Sequence, residues 1–79
     1  MTPVPPGSTI GIIGGGQLGR MLSLAAAQLG YRCHIYAPEA SGPAADVSAK
    51  WIQGDYGDTE RLLEFARDVS VITFEFENI

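Results

Sequence analysis

The stretch Thr9-Ile10-Gly11-Ile12-Ile13-Gly14-Gly15-Gly16-Gln17-Leu18-Gly19-Arg20-Met21-Leu22 limits the possible folds more than any other part of the chain. Thr9 to Ile13 is β-branched except at Gly11, which suits a short strand covered on both faces. Gly14-x-Gly16-x-x-Gly19 follows at once, and an apolar pattern of helical period begins there. In a strand–turn–helix unit each glycine has a mechanical job. The first allows the turn, the second lets a ligand approach the backbone, and the third lets helix and strand pack closely. The helix aims its free N–H groups and positive dipole end at whatever lies over the turn, and a phosphate is the expected guest. Gly14, Gly15 and Gly16 are therefore candidate ligand-binding residues. The motif alone does not separate a mononucleotide from a dinucleotide, and a purely structural tight turn remains the alternative.

Beyond the turn, Gln17 to Leu29 reads as a helix with Leu18, Met21, Leu22, Leu24, Ala25, Ala26 and Leu29 forming a wide apolar face. Met21 and Leu22 are expected in the core, and Gly30 falls where a left-handed C-terminal cap belongs. Arg32 to Ala37 is predicted as the second strand, ended by Pro38. A short helix is predicted over 41–47, with Ser41 or Gly42 near its cap and Pro43 in its first turn. Lys50 to Gln53 is a brief third strand, followed by the loop Gly54-Asp55-Tyr56-Gly57. Asp58 is expected to cap a helix running through Arg67, with Leu62, Leu63, Phe65 and Ala66 as its apolar contacts. Val71 to Ile79 reads as a central strand, with Phe74 and Phe76 facing the core. Strands alternating with helices define an α/β fold, a Rossmann-like open parallel sheet with flanking helices.

Several residues at strand ends carry chemistry. Glu75 and Glu77 are two apart and share one side of a strand. At the carboxyl end of a strand beside the glycine turn they lie at the expected ligand crevice, where a carboxylate accepts hydrogen bonds from ribose hydroxyls or a ligand amine. Glu75 is the stronger candidate, against the alternative that both are solvated. Asp55 and Tyr56 occupy another strand-end loop. A dinucleotide fold places an acid at the end of its second strand to hold the adenosine ribose. Here that position is Ala37, and the nearest acid, Glu39, lies beyond a proline. Cys33 and His34 are adjacent and so face opposite sides of a strand, and the chain has no other Cys or His. A zinc site built from these residue types is excluded, and no catalytic role is assigned to His34.

At 79 residues the chain is one small domain or part of one. Its net charge of −4 argues against nucleic acid or an anionic membrane as the main partner. No apolar run approaches the roughly 20 residues of a membrane span. Met1 to Ser8, with three prolines and a glycine, is expected to be a loose leader before a domain over 9–79. A single cysteine fits a reducing compartment, and the cytoplasm is the expected location. Because a parallel sheet needs cover on both faces, a chain ending on an apolar strand is expected to be the N-terminal part of a larger protein.

The segments Ile12-Ile13-Gly14-Gly15-Gly16-Gln17-Leu18-Gly19-Arg20-Met21, Pro43-Ala44-Ala45, Gly54-Asp55-Tyr56 and Thr73-Phe74-Glu75-Phe76-Glu77-Asn78 together resemble the N-terminal domain of the N5-carboxyaminoimidazole ribonucleotide synthase family, within the ATP-grasp superfamily. The resemblance spans nearly all of 9–79. It implies a parent ligase that joins bicarbonate to 5-aminoimidazole ribonucleotide with ATP and magnesium, by way of carboxyphosphate, in purine biosynthesis. A related transformylase holds its ribonucleotide with two consecutive residues of the glycine turn and a strand-end glutamate. These map onto Gln17, Leu18 and Glu75, with Leu18 acting through its backbone. The same resemblance implies that ATP and Mg2+ are bound outside these 79 residues, that none of these residues is catalytic or a metal ligand, and that the parent forms a homodimer. By itself the chain is then expected to be inactive. Two readings compete with this one: a nicotinamide-binding domain of an oxidoreductase, and a nucleotide-sensing regulatory module.

Overall fold

The computed structural model describes Pro5 and residues 7–74. Four strands and two helices alternate along the chain: β1 (Thr9–Ile13), α1 (Gln17–Gln28), β2 (Arg32–Ala37), β3 (Lys50–Gln53), α2 (Thr59–Arg67) and β4 (Val71–Phe74). A 3₁₀ turn over Ala45–Val47 sits between β2 and β3. The strands form one sheet in the order β3-β2-β1-β4, and every pair is parallel. From β1 the chain steps outward to β2 and β3, then crosses back to the other side of β1. That reversal leaves a crevice between the carboxyl ends of β1 and β4, where open α/β sheets take ligands.

The two inner strands β1 and β2 are covered on both faces because their residues alternate between two clusters. Ile12, Cys33, Ile35 and Ala37 pack with Ala26 of α1 and Ala44, and half-buried Ile10, Leu22, Tyr31 and Trp51 border this cluster. On the other face Ile13 and Tyr36 pack with Phe65 of α2, flanked by Ile52, Tyr56 and Leu62. Gly11 is part of this second contact. A Cβ there would lie 2.9 Å from both Phe65 and Val69, so the missing side chain is what lets α2 settle on β1.

The helix ends follow local chemistry. Gly30 has φ +89, and the N–H groups of Gly30 and Tyr31 donate to the carbonyls of Ala27 and Ala26, the paired bonds of a Schellman cap. The helix thus stops at Gln28, one residue before the expected Leu29, which serves as the cap residue. Asp58 caps α2 as expected, its carboxylate accepting the Arg61 N–H at 3.2 Å.

Several expectations are corrected. The buried face of α1 is Gly19, Ser23 and Ala26, while Met21 is 63% exposed and Leu18, Leu24 and Leu29 also face outward. Small residues win the contact because the helix lies so close to the β1 turn that bulky ones do not fit. The short helix over 41–47 is only the 3₁₀ turn, with Ala44 at its cap and no side-chain cap bond. Ser41 is exposed, and the segment is instead held by its backbone: the Ala44 N–H donates to Gly15 O at 3.2 Å and the Ala45 N–H to Gly42 O at 2.9 Å. Leu63 of α2 is exposed rather than packed. Among the described residues β4 pairs with β1 alone and its four residues are exposed, while Phe74 lines the same apolar cavity as Ile13 and Leu62. At the other end of the chain, Gly7 and Ser8 are not loose. The Gly7 N–H donates to Gly30 O, and Ser8 O accepts from the Arg32 N–H.

Candidate functional site

β1 delivers the chain to Gly14, whose N–H still donates across the sheet to Tyr36 O at 2.9 Å. Gly14 then turns with φ +122, a conformation that side chains disfavour. Gly16 is the N-cap of α1, and the first helical bond runs from the Arg20 N–H to Gly16 O at 3.0 Å. The N–H groups of Gln17, Leu18 and Gly19 therefore precede the first helical bond. No side chain caps this end, and no acid stands in its first turn. Gln17 and Leu18 are exposed while Gly14, Gly15 and Gly19 are buried. The positive end of α1 thus opens at Gln17 and Leu18 and suits an anion. Gly19 serves close packing, as its spacing suggests: a Cβ there would lie 2.8 Å from Gly14 O.

One contributor was not legible in the sequence. The indole of Trp51, from β3, lies against Gly15, where a Cβ would collide with Cη2 and lie 2.7 Å from Cζ3. Trp51 Nε1–H donates to Glu39 O at 2.9 Å. Gly42 packs against the same pair, since a Cβ on it would meet Gly15 O at 2.8 Å and the indole at 3.1 Å. The signal that finds Trp51 is the pairing of β3 with β2, which sets Trp51 beside Ile35 and so on the α1 face. The end of β2 is sealed: Ala37 is fully buried, and Glu39 contributes its carbonyl to Trp51.

Across the sheet, Ile13, Tyr56, Leu62, Ile72 and Phe74 line an apolar cavity of about 220 Å³ beneath the ends of β1 and β4. The loop after β3 is pinned from below. Tyr36 O–H donates to Asp55 O at 2.6 Å, and the Gly54 N–H donates to Ala37 O at 2.9 Å. Asp55 is exposed, and the Tyr56 ring stands 6.4 Å from that of Tyr36. Glu75 and Glu77 lie outside the described residues. The last described pair of β4 and β1 is Phe74 with Ile13.

Cys33 and His34 face opposite sides. Cys33 is buried under α1, and burial raises its thiol pKa despite a contact with Ser23. His34 lines a cavity of about 200 Å³ with Lys50, Ile52, Arg61, Glu64, Phe65 and Asp68. Burial lowers its pKa, as do Lys50 and Arg32, while Asp68 opposes them. Among the described residues no group of three or more His, Cys, Asp or Glu side chains could hold a metal ion. No described helix is long and apolar enough to cross a membrane.

A parallel sheet with a strand-order reversal, and a glycine turn opening onto an uncapped helix, define the class: a Rossmann-like α/β domain. More narrowly, the chain belongs to the ribonucleotide synthetase preATP-grasp domain family, which matches residues 7–79. The N5-carboxyaminoimidazole ribonucleotide synthase of Brucella melitensis is 55% identical over 78 residues, covering 99% of this chain and 22% of that protein. The bifunctional purine synthesis protein purC/E of Dictyostelium discoideum is 54% identical over 76 residues, covering 96% of this chain and 8% of its own length. The solved N5-carboxyaminoimidazole synthetase of Staphylococcus aureus complexed with ADP superposes with a TM-score of 0.91 at 42% identity, covering 96% of this chain and 20% of that one. The chain therefore spans about a fifth or less of the length of these relatives.

Proposed function

We propose that this chain forms the ribonucleotide-binding side of a ligase that carboxylates 5-aminoimidazole ribonucleotide with bicarbonate and ATP. The product is N5-carboxyaminoimidazole ribonucleotide, made in purine biosynthesis. The observation that carries the reading is the uncapped start of α1, with exposed Gln17 and Leu18 above the β1–β4 crevice. It is supported by the relatives named for this reaction. The backbone N–H groups at Gln17 and Leu18 hold the phosphate, and Gly14, Gly15 and Gly16 shape the turn that presents them. Glu75, next along the chain from Phe74, accepts hydrogen bonds from the sugar or the amine and orients it.

In this reading the chain positions one substrate and performs no bond-making step. ATP, whose phosphoryl group activates bicarbonate, and Mg2+ are held by other parts of the parent protein. A cytoplasmic location and a homodimeric parent belong to the same proposal. The nicotinamide alternative is disfavoured by buried Ala37 at the place of the ribose-binding acid and by the indole packed over the neighbouring turn.

The test follows ADP release from ATP and magnesium by the intact protein that carries this chain, adding 5-aminoimidazole ribonucleotide and bicarbonate separately and together. Release that depends on the ribonucleotide, and falls in Glu75→Gln, is expected. Release that ignores the ribonucleotide, together with measurable NAD binding, overturns the reading.

A further inference from the structure

The glycine at position 15 is not there for the backbone. Positive φ values occur among the described glycines at Gly7, Gly14 and Gly30, so Gly15 does not need the left-handed conformation that favours glycine. What excludes a side chain is the indole of Trp51, with which a Cβ on Gly15 would collide. The same ring is fixed at its other edge by the bond from Nε1–H to Glu39 O at 2.9 Å. Gly15 O is held in turn by the Ala44 N–H at 3.2 Å. The turn is thus gripped on its β2–β3 side by two separate segments, β3 through Trp51 and the 42–44 loop, with Glu39 fixing the indole from behind. Its other side runs directly into Gly16 and the open N–H groups of α1.

We propose that Trp51 is the positioning residue of the cradle: its indole, seated on Gly15, holds the turn so that the Gln17 and Leu18 N–H groups stay aimed at the substrate phosphate. The inference rests on the ribonucleotide reading above and adds to it a residue outside the glycine motif. Trp51 does not touch the phosphate. It acts through Gly15, one residue before the helix cap, where a small rotation of the turn swings the helix N-terminus away from its ligand. A misplacement of about 1 Å can cost up to about a hundredfold in turnover of an oriented substrate, so this packing bears on how the ribonucleotide is held as well as on stability. Nothing comparable connects Trp51 to ATP, which is bound elsewhere in the proposed parent.

The test is a double-mutant cycle in the intact protein, using Gly15→Ala, Trp51→Leu and the two combined. KM is measured for 5-aminoimidazole ribonucleotide and for ATP, and each variant is melted thermally. Each single variant is expected to raise the ribonucleotide KM about tenfold and leave the ATP KM unchanged. The leucine vacates the space that the alanine methyl needs, so the double variant is expected to recover and to sit well below the product of the two single effects. Multiplying effects, or equal movement of both KM values, overturn the proposal. If Gly15→Ala does not fold, Trp51→Leu alone decides, and an unchanged ribonucleotide KM is then the refuting result. Wild-type protein with no ribonucleotide-dependent ADP release removes the function reading, and the proposal with it. Failure confined to the variants removes the proposal alone.

Discussion

Removing the hydroxyl of Tyr36 isolates the bond that ties the loop after β3 to the sheet. Tyr36 is fully buried, and its ring packs on Phe65 at a centroid distance of 5.5 Å and on Tyr56 at 6.4 Å. Tyr36→Phe keeps those contacts and deletes only the 2.6 Å bond to Asp55 O. A neutral hydrogen bond contributes about 0.5–1.5 kcal/mol net, and a dry orphaned partner costs about 1–3 kcal/mol. Asp55 O keeps the bond it accepts from the Asp58 N–H at 3.1 Å, so it is not orphaned and the lower range applies. The expected loss is about 1 kcal/mol. For a domain of this size that lowers the melting temperature by roughly 4–8 °C. Urea unfolding followed by circular dichroism should show an earlier midpoint with an unchanged slope. Gly54 supplies an internal check, because a Cβ on it would collide with the Tyr36 hydroxyl. Gly54→Ala should therefore cost less in the Tyr36→Phe background than in wild type. A loss under about 0.3 kcal/mol, or equal costs for Gly54→Ala in both backgrounds, would refute the assignment of this bond as the loop's anchor.

Two further outcomes follow from side chains of the α2 half. Asp58→Ala removes the acceptor of the Arg61 N–H and should cost about 1 kcal/mol in urea unfolding. Most of that loss belongs to the cap, since the exposed ion pair of Asp58 with Arg61 at 3.7 Å adds little. His34 has its pKa lowered in the fold, first by burial and then by Lys50 and Arg32. The unfolded chain then binds more protons than the folded one as pH falls through the ordinary imidazole range near about 6.5. The His34 contribution is complete above that pH and is lost as pH falls toward the lowered folded pKa. Stability measured at pH 7.5 and pH 5.5 should drop less in His34→Gln than in wild type. An equal drop in both would show that the carboxylates alone carry the acid dependence.

Much of this architecture is legible in the sequence because it is written in local terms. The β-branched run before Gly14, the left-handed cap at Gly30 and the carboxylate of Asp58 each act on neighbours a few residues away, so strand, helix end and cap are read directly. The Gly14-x-Gly16-x-x-Gly19 spacing is local too, and with the strand–helix context it is enough to place the tight turn between β1 and α1. Burial was less legible. The apolar residues of α1 mark a face wider than the one in contact, and the structure buries Gly19, Ser23 and Ala26 while leaving Met21 exposed. Periodicity counts hydrophobic side chains, but a close helix–sheet contact selects small ones.

The chain by itself determined the alternation of strands and helices, the glycine turn and the positive helix end that follows it, since backbone geometry and hydrogen bonding act over a few residues. Tertiary structure alone decided that the side chain seated on the turn is Trp51. Gly15 and Trp51 lie far apart along the chain, and parallel pairing of β3 with β2 is what brings them together. Strand order and register are set by packing summed over the whole sheet, and no single stretch of sequence contains that sum.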